Sequence, residues 1–176
     1  MSASPTVNIR LALPADAPAL ALVGAATFLE SYSGVIDGAA LMRHCAQKQT
    51  QTVYAAALAD PAQALWIAEA DPGAAPVGYL HLAAPDLPVQ TGAGDLEIKR
   101  IYVLDKFQRD GLGAQLLAAC EAEARRRGAA RLLLGVYKGN AKALGFYERT
   151  GFLRCGERSF DVGGEVYQDW VLEKRL

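Results

Sequence analysis

The sequence predicts a mixed α/β fold in which a central sheet of about six to seven strands carries flanking helices. The first observation behind this prediction is the order strand, helix, strand, helix over residues 96–151, typical of a parallel strand pair joined by a crossover helix. The second is a set of short apolar runs on either side of that unit, separated by turn-rich segments. The chain has 176 residues, 52% of them apolar, which is enough for one sizeable core and few for two. A single domain over residues 1–176 is therefore expected.

The N-terminal half is expected to open with a strand, turn helical and then return to strands. Apolar and polar residues alternate before Pro14, which indicates a strand with one buried face. Asp16 follows and can cap a helix. In chain order the predicted elements are a strand Thr6–Leu13, a helix from Asp16 to Tyr32, a helical stretch of about Gly38–Ala59 whose breaks the sequence does not locate, and two antiparallel strands Ala64–Ala70 and Val77–Ala83.

The C-terminal half contains the clearest helix of the sequence. Leu112, Leu116, Cys120 and Ala124 recur at helical spacing, and three arginines precede Gly128, where cations and a glycine suit a helix C-terminus. In chain order the predicted elements are a strand Leu96–Val103, that long helix up to Arg127, a strand Leu132–Val136, a helix that Asn140 caps and Gly151 ends, and two strands within Phe152–Leu176 around Gly163 and Gly164.

Composition and charge exclude several classes of protein. The 18 basic residues nearly balance the 19 acidic ones, so no net field attracts nucleic acid or an anionic membrane. The three cysteines form no CxxC pair, and His44 and His81 have no second ligand at metal spacing, so no disulfide framework and no metal site are expected. No apolar run reaches the ~20 residues that span a bilayer, and the start MSASPTVNIR lacks signal-peptide features. A cytoplasmic protein with a small-molecule partner is expected.

The segment FQRDGLG at residues 107–113 lies where a predicted strand runs into the long helix. Glycines there let backbone N–H groups approach an anion, and a helix N-terminus adds unpaired donors and positive potential, so a pyrophosphate fits the loop. The alternative is that Gly111 and Gly113 only permit a tight turn, the commoner case for an isolated GxG. The loop lacks both the GK[ST] of a Walker A motif and the complete GxGxxG of a dinucleotide site, so nucleotide hydrolysis and hydride transfer lose support.

Three ordered segments carry a resemblance to a known family. QRDGLG at residues 108–113 resembles the Q/R-x-x-G-x-G/A signature with which GCN5-related N-acetyltransferases (GNAT) hold the pyrophosphate of coenzyme A. LEIKRIYVLDKF at 96–107 resembles the family's fourth strand, and NAKALGFYERTGF at 140–152 its motif with an asparagine and a tyrosine. The tail SFDVGGEVYQDWVLEK, with these segments, is similar to the PaiA-type subgroup, whose members acetylate polyamines and related amines. The resemblance implies a GNAT fold with splayed strands four and five, and transfer of acetyl from acetyl-CoA to an amine by direct attack in a ternary complex.

The resemblance also implies which residues hold the cofactor. The backbone freed at the end of the splayed strand would pair with the pantetheine arm, while the side chains there are ordinary core residues. Asn140 and Tyr147 are two helical turns apart, so both can address one ligand. In the family such an asparagine holds the pantetheine and such a tyrosine donates to the departing thiolate; the alternatives are a plain N-cap and a packing aromatic. The implied cofactor-binding residues are Ile101, Tyr102, Val103, Gln108, Arg109, Asp110, Gly111, Leu112, Gly113, Ala114 and Asn140, with Tyr147 catalytic.

The acceptor amine must lose a proton before it attacks, because an alkylammonium has no lone pair. Glu97 is the candidate base, with its side chain expected on the same face of its strand as Lys99, Ile101 and Val103. The alternative is an ion pair with Lys99, which stands nearer the splay where some polyamine acetyltransferases carry a glutamate. The candidate acceptor-binding residues are Glu30, Tyr32, Asp37 and Asp169, whose carboxylates are more often solvated surface charges.

Other functions stay open at this point. Within the acetyltransferases, a protein N-terminus or an aminoglycoside-type molecule is the alternative acceptor. Outside the enzymes, the alternative is a catalytically silent coenzyme A-binding sensor module, against which the retained Tyr147 and the intact loop speak. A homodimer is also left open.

Overall fold

The computed structural model of the protein describes residues 6–176. The strands are β1 Val7–Leu11, β2 Ala64–Ala70, β3 Ala75–Ala83, β4 Leu96–Val103, β5 Arg131–Tyr137, β6 Leu153–Val162 and β7 Glu165–Arg175. The helices are α1 Ala17–Tyr32, α2 Gly38–Lys48, α3 Gln51–Ala59, α4 Asp105–Gln108, α5 Leu112–Arg126 and α6 Ala141–Arg149. The segment MSASPTVNIR was predicted to lack signal-peptide features. Its first five residues, 1–5, lie outside the described residues.

The strands form one sheet in the order β1-β2-β3-β4-β5-β7-β6. β4 and β5 run parallel, whereas every other neighbouring pair is antiparallel. The predicted mixed α/β sheet with a parallel pair around the long helix is therefore confirmed. Within residues 6–176, no helix is both long and apolar enough to cross a membrane.

The structure locates the break in one predicted helical stretch of the N-terminal half and shows that one predicted helix cap is wrong. The helical stretch over 38–59 is two helices, because Gln49 leaves the helical conformation and the Thr50 hydroxyl accepts a hydrogen bond from Val53 N at 3.2 Å, which starts α3. Asp16 does not cap α1 with its side chain. Its carboxylate instead pairs with the Arg10 guanidinium at 2.7 Å, which ties the end of β1 to the turn before α1.

Helices cover both faces of the sheet. On one face α5 packs its buried residues Leu116, Cys120 and Ala124 against apolar side chains of β3, β4 and β5. On the other face α1 and α3 pack against β2 and β3 around Leu20 and Tyr54. Because packed cores resist deformation, the two layers hold the strands in fixed positions.

The two parallel strands pair only at their N-terminal ends. Leu96 and Glu97 are the residues of β4 that have partners in β5. β4 nevertheless continues to Val103 beside β3, and β5 continues to Tyr137 beside β7. The strands therefore diverge and leave a gap in the middle of the sheet, as the resemblance implied.

A β-bulge changes the alternation of β4. His81 is opposite Arg100, but the next residue of β3, Leu82, is opposite Ile98, so Lys99 is an extra residue in the strand. Each residue after the bulge therefore points to the face opposite to the one that strict alternation predicts.

Because of the bulge, Ile101 and Val103 do not share a face with Glu97. Glu97 and Lys99 do share a face. Ile101 and Val103, which were expected on that face too, pack with the α5 core on the other side of the sheet. The extra residue is the physical reason for this error.

Candidate active site

Two cavities meet at the gap between β4 and β5. The first, of about 880 Å³, lies between the end of β4, the N-terminus of α5 and α6, and is called the α5 cavity. The second, of about 520 Å³, lies between α1, α2 and the sheet face that carries Glu97, and is called the α2 cavity. Tyr32, Val35, Tyr102 and Tyr137 line both cavities. A molecule bound in one can therefore reach a molecule bound in the other.

The first turn of α5 offers backbone donors to the α5 cavity. Gln115 N donates the first intrahelical hydrogen bond, to Gly111 O at 3.1 Å, so the N–H groups of Leu112, Gly113 and Ala114 have no acceptor within the helix. Gly111 precedes them with φ of 71°, a left-handed conformation that glycine adopts without strain. α5 is 15 residues long, and its dipole adds positive potential at this end. Free donors and positive potential together make an anion-binding geometry.

Gly113 keeps the surface of this turn open. A Cβ added at Gly113 would meet the Phe146 ring at 3.7 Å, an ordinary van der Waals contact. The packing of the helix therefore does not require a glycine here. A ligand that approaches the backbone closely would require one.

The end of β4 presents backbone groups to the gap. Leu104 N donates a hydrogen bond to the β3 backbone at 2.9 Å, which fixes the alternation of this antiparallel pair. Tyr102 therefore directs its N–H and C=O groups toward β3, whereas Ile101 and Val103 direct theirs toward the gap. The Val103 carbonyl accepts the Gln108 side-chain amide at 2.8 Å. The backbone groups of Ile101 and the Val103 N–H remain available to a ligand.

α6 places two predicted residues on the α5 cavity. Asn140 caps the helix, because its Oδ1 accepts a hydrogen bond from Ala143 N at 3.0 Å, so the N-cap alternative is present alongside its position on the cavity. Tyr147 is buried between Phe146 and Phe152, and among residues 6–176 no group hydrogen-bonds its hydroxyl. Burial raises the pKa of Tyr147, so the phenol keeps its proton at neutral pH.

Two cations on α6 line the α5 cavity and were missed in the sequence. Lys142 pairs with the Asp105 carboxylate at 2.8 Å, and Arg149 lies on the last turn of the helix. Both have the charge that phosphate groups attract. Their spacing in the sequence could have indicated them, since each follows a predicted site residue, Asn140 or Tyr147, by two positions.

Several loop residues carried over from the resemblance do not line the α5 cavity with their side chains. Leu112 is only 2% exposed and packs in the core, so it can contribute only its N–H group. Arg109 and Asp110 are exposed and lie outside the cavity lining. Gln108 lines the cavity, but its amide already donates to Val103.

Two ion pairs form the polar wall of the α2 cavity. Glu97 Oε2 accepts hydrogen bonds from Lys99 Nζ at 2.6 Å and from Asp86 N at 2.7 Å. Asp169 Oδ2 accepts one from Arg158 Nε at 2.9 Å. The side chains of Glu97 and Asp169 are only 3% and 5% exposed. The ion pair weighed as the alternative for Glu97 is thus present, and burial raises the pKa of Asp169 despite its cationic partner.

The four predicted acceptor-binding residues are dispersed. Tyr32 and Asp169 line the α2 cavity. Glu30 lines the α5 cavity, where its carboxylate accepts a hydrogen bond from Asp105 N at 2.8 Å. Asp37 caps the N-terminus of α2 and lines neither cavity. The structure therefore brings Tyr32 and Asp169 together and leaves Glu30 and Asp37 elsewhere.

Aromatic side chains and two buried histidines complete the α2 cavity. Phe28 stacks on His44 with ring centroids 4.3 Å apart, and the Phe160 ring lies edge-on to that histidine with centroids 6.2 Å apart. His81 Nε2 lies 2.6 Å from the side-chain oxygen of Gln63. Burial lowers the pKa of both His44 and His81 to about 4, so both are neutral at physiological pH.

Comparison with known proteins decides the family. The profile of the Acetyltransferase (GNAT) family matches residues 28–152, which include both splayed strands, α5 and α6. The chain belongs to the GNAT acetyltransferase family. This GNAT protein is an acetyl-CoA-dependent N-acetyltransferase.

Its relatives include proteins named as N-acetyltransferases. An uncharacterized N-acetyltransferase of Mycobacterium bovis is 30% identical over 161 residues, which cover 92% of this chain and 98% of the relative. An uncharacterized N-acetyltransferase of Lactobacillus delbrueckii subsp. lactis is 37% identical over 100 residues. That match covers 56% of this chain and spans 58% of the length of the relative.

Solved structures share the fold. The PaiA N-acetyltransferase of Thermoplasma acidophilum, in complex with coenzyme A, superposes with a TM-score of 0.76 at 18% identity, over 97% of this chain and 99% of that one. A GCN5-related N-acetyltransferase of Rhodopseudomonas palustris superposes with a TM-score of 0.73 at 21% identity, over 100% of this chain and 98% of that one. The predicted GNAT fold is confirmed.

GNAT enzymes use acetyl-CoA, and the α5 cavity suits that molecule chemically. The free donors of the α5 N-terminus suit a pyrophosphate, and the open backbone edge of β4 suits the amides of a pantetheine arm. Lys142 and Arg149 add positive charge. Among residues 6–176, no cluster of three or more potential metal ligands occurs.

Proposed function

We propose that this GNAT enzyme transfers the acetyl group to a primary amine of a small molecule, by direct attack within a ternary complex. The observation that carries the proposal is that two cavities of different chemistry meet at the gap between β4 and β5. One has the features of a coenzyme A site, and the other combines a polar wall with aromatic side chains. Two ligands can be held at once in contact, which direct transfer requires.

In the proposed complex the α5 cavity takes coenzyme A. The N–H groups of Leu112, Gly113 and Ala114 would bind the pyrophosphate, and the backbone of Ile101 and Val103 would pair with the pantetheine arm. Further contacts, carried over from the family signature, are proposed for Tyr102, Gln108, Arg109, Asp110, Gly111 and Asn140.

The reaction requires stabilisation of a leaving thiolate. Acetyl-CoA supplies a thioester carbonyl, to which the amine nitrogen bonds as the C–S bond breaks. Tyr147 is the proposed donor to the sulfur, because its hydroxyl is not committed to another described residue. Its raised pKa keeps the hydroxyl protonated, so it can hydrogen-bond the sulfur as negative charge develops.

The proton of the amine must leave through the polar wall of the α2 cavity. Glu97, the base proposed from the sequence, already accepts two hydrogen bonds through Oε2. Among the described residues, Asp169 accepts a side-chain hydrogen bond only through Oδ2, and burial raises its pKa. We propose that these two carboxylates relay the proton through water.

The finer prediction is a polyamine or other small alkylamine as acceptor. The resemblance of the tail to the PaiA-type subgroup and the fold similarity to the Thermoplasma acidophilum PaiA enzyme support it. A polycation would need unpaired carboxylates, however, and the two buried carboxylates of the cavity are each paired with a cation. A small alkylamine is therefore the better supported of the two acceptors.

The test is turnover of acetyl-CoA by the purified protein with a panel of alkylamines, polyamines, an N-terminal peptide and an aminoglycoside. We expect amine-dependent release of coenzyme A, an acetylated product by mass spectrometry, and kcat/KM for small alkylamines at least tenfold above the peptide, about 1.4 kcal/mol in transition-state binding. Preference for the peptide or the aminoglycoside would favour those acceptors. Tight binding of acetyl-CoA without turnover of any amine would favour the sensor module.

Three further expectations from the sequence stay predictions. These are a single domain over residues 1–176, a cytoplasmic location, and a homodimer as one allowed state. Size-exclusion chromatography with light scattering tests the last of them.

A further inference from the structure

Among the strand residues that line the α2 cavity and are buried or half-buried, cations outnumber carboxylates. Glu97 pairs with Lys99, and Asp169 pairs with Arg158. The third cation, Arg100, has no carboxylate within 4.0 Å among residues 6–176. One positive charge on this wall therefore has no adjacent counter-charge among the described residues.

Arg158 is fixed in place on three sides. Its Nε donates to Asp169, and its Cζ lies 4.7 Å from the centroid of the Phe160 ring. Below it is Gly135 of β5, where a Cβ would come within 2.5 Å of Cζ and Nη2. The absence of a side chain at Gly135 thus makes room for the guanidinium beside the gap. Neither terminal nitrogen of Arg158 makes a hydrogen bond within residues 6–176, and the nearest carboxylate oxygen beyond Asp169, on Glu97, is 4.0 Å from Nη1.

Arg100 is the uncompensated cation. It lies opposite His81 in the sheet, and its Cζ is 5.4 Å from the centroid of the Tyr54 ring. Its Nη1 is buried and has no hydrogen-bond partner in the described part of the chain, and the same holds for His81 Nδ1. A guanidinium buried without a counter-charge costs free energy, and a bound anion removes that cost.

The carboxylates that remain near the cavity are on its rim. Asp86 and Asp161 are exposed, as is the cation Lys48. Asp60 is half-buried and accepts hydrogen bonds from its own loop. Exposed charges are screened by water and salt, so they offset the buried surplus only weakly.

We propose that the acceptor amine also carries an anionic group, a carboxylate or a phosphate, and that Arg158 and Arg100 bind it in the α2 cavity. The planar guanidinium presents paired N–H donors that match either oxyanion. A ligand with a second ammonium group would instead add charge to a wall that already has a surplus of cations. This inference rests on the proposed function, because it names the class of amine that the same site accepts.

The test compares amine acceptors that carry different charges away from the amine. The first pair is γ-aminobutyrate and its carboxamide, the second is norvaline and norvalinamide, and putrescine and aminopropyl phosphate complete the panel. We expect kcat/KM for at least one anionic member to exceed its uncharged counterpart by about tenfold or more. The carboxylate and phosphate members distinguish the two oxyanions. A preference for the carboxamides or for putrescine would overturn the proposal.

Two variants connect the preference to Arg158. Arg158→Gln removes the charge, and Gly135→Ala displaces the guanidinium without removing it. In both variants, kcat/KM for the anionic acceptor should come close to kcat/KM for its uncharged counterpart. Arg154→Gln is the matched control, because Arg154 is on the same strand but outside the cavity. A preference that survives both Arg158→Gln and Gly135→Ala would show that Arg158 does not bind the anion. If Arg158→Gln fails to fold, Gly135→Ala still tests the proposal, since the three atoms nearest to the added methyl all belong to the end of the flexible Arg158 side chain.

A binding measurement separates this inference from the proposed function. Calorimetry with coenzyme A-saturated protein compares N-acetyl norvaline with N-acetyl norvalinamide. Tighter binding of the acid by about tenfold supports the anion site even if no amine is turned over. The lack of turnover would then contradict only the proposed activity. Equal binding, with turnover of uncharged amines, would leave the activity standing and remove the anion site.

Discussion

Tyr147 lines the α5 cavity, and its aromatic ring packs between Phe146 and Phe152. Tyr147→Phe removes the hydroxyl and keeps the packing. Because the proposed hydrogen bond to sulfur forms only as the C–S bond breaks, we expect kcat to fall by roughly 10²-fold while the affinity for acetyl-CoA stays the same. Single-turnover kinetics and calorimetry measure the two quantities.

The two measurements on Tyr147→Phe also separate the alternatives. Lost affinity with little further change in kcat would identify a packing residue. Unchanged single-turnover rates would mean that water or another group stabilises the thiolate.

His44 and His81 should make the stability of the protein depend on pH. Burial lowers the pKa of each to about 4 in the folded protein, below the value of 6.5 of an unperturbed histidine. A histidine with a lowered folded-state pKa contributes stability that is present above its unfolded pKa and lost as pH falls toward the folded one. We therefore expect the free energy of unfolding to drop between pH 6.5 and about 4, by on the order of 1–2 kcal/mol per histidine.

Urea titrations of the wild type and of His81→Gln across that pH range check the prediction. Carboxylates titrate in both proteins, so the difference between their curves isolates His81. The variant should be less stable near neutral pH and lose less stability on acidification. Parallel curves would show that protonation of His81 is not linked to unfolding.

At the scale of elements, the first turn of α5 is proposed to bind the cofactor with its backbone. Gly113→Ala tests this, because the added methyl has room in the protein, with its nearest neighbour 3.7 Å away on Phe146. We expect unchanged or slightly higher stability, by about 0.5 kcal/mol, since alanine favours a helix over glycine. The affinity for acetyl-CoA should fall by about tenfold or more, because the methyl occupies the space that the pyrophosphate needs.

Gly38→Ala is the matched control for that change. Gly38 also lies in the first turn of a helix, and a Cβ there meets nothing within 4 Å. It lines neither cavity, so its replacement should leave the affinity for acetyl-CoA unchanged. Wild-type affinity in Gly113→Ala, measured by calorimetry, would place the phosphates elsewhere.

The turn of the β6–β7 hairpin lies close against α2. Gly163 has φ of 59°, and a Cβ there would overlap the backbone carbonyl of Ala40; Gly164 has φ of 97° with nothing near its Cβ position. Both glycine-to-alanine changes strain the backbone, but only Gly163→Ala also separates the hairpin from α2. We expect losses of about 1 kcal/mol for Gly164→Ala and roughly 2–4 kcal/mol for Gly163→Ala in urea unfolding. Equal losses would mean that the hairpin moves freely.

For the whole molecule, periodicity and turn chemistry predicted most of the fold. The long helix ends where three arginines meet Gly128, which adopts φ of 74° as a glycine after a helix does. The hairpin turns at the two glycines as expected. Asn140 begins α6 with the predicted capping hydrogen bond. These features depend on residues close in sequence, which is why the sequence alone contains them.

Features that depend on distant residues were not predictable in this way. The bulge at Lys99 reorients the end of β4 because of how that strand meets β3, and no local pattern marks it. The pairing of Asp169 with Arg158 joins two strands across a hairpin, so a predicted acceptor-binding carboxylate turned out to have a cation beside it. The polar wall of the α2 cavity therefore depends on contacts between residues that are distant in sequence.

The divergence of β4 and β5 is the central feature of the whole molecule, since it brings two cavities into contact inside one sheet. The most direct test is the initial-velocity pattern with acetyl-CoA and an amine as varied substrates, together with the intact mass of the protein after exposure to acetyl-CoA alone. Direct transfer in a ternary complex predicts intersecting double-reciprocal lines and a protein of unchanged mass. Parallel lines, with an acetyl group on the protein that later passes to the amine, would contradict it.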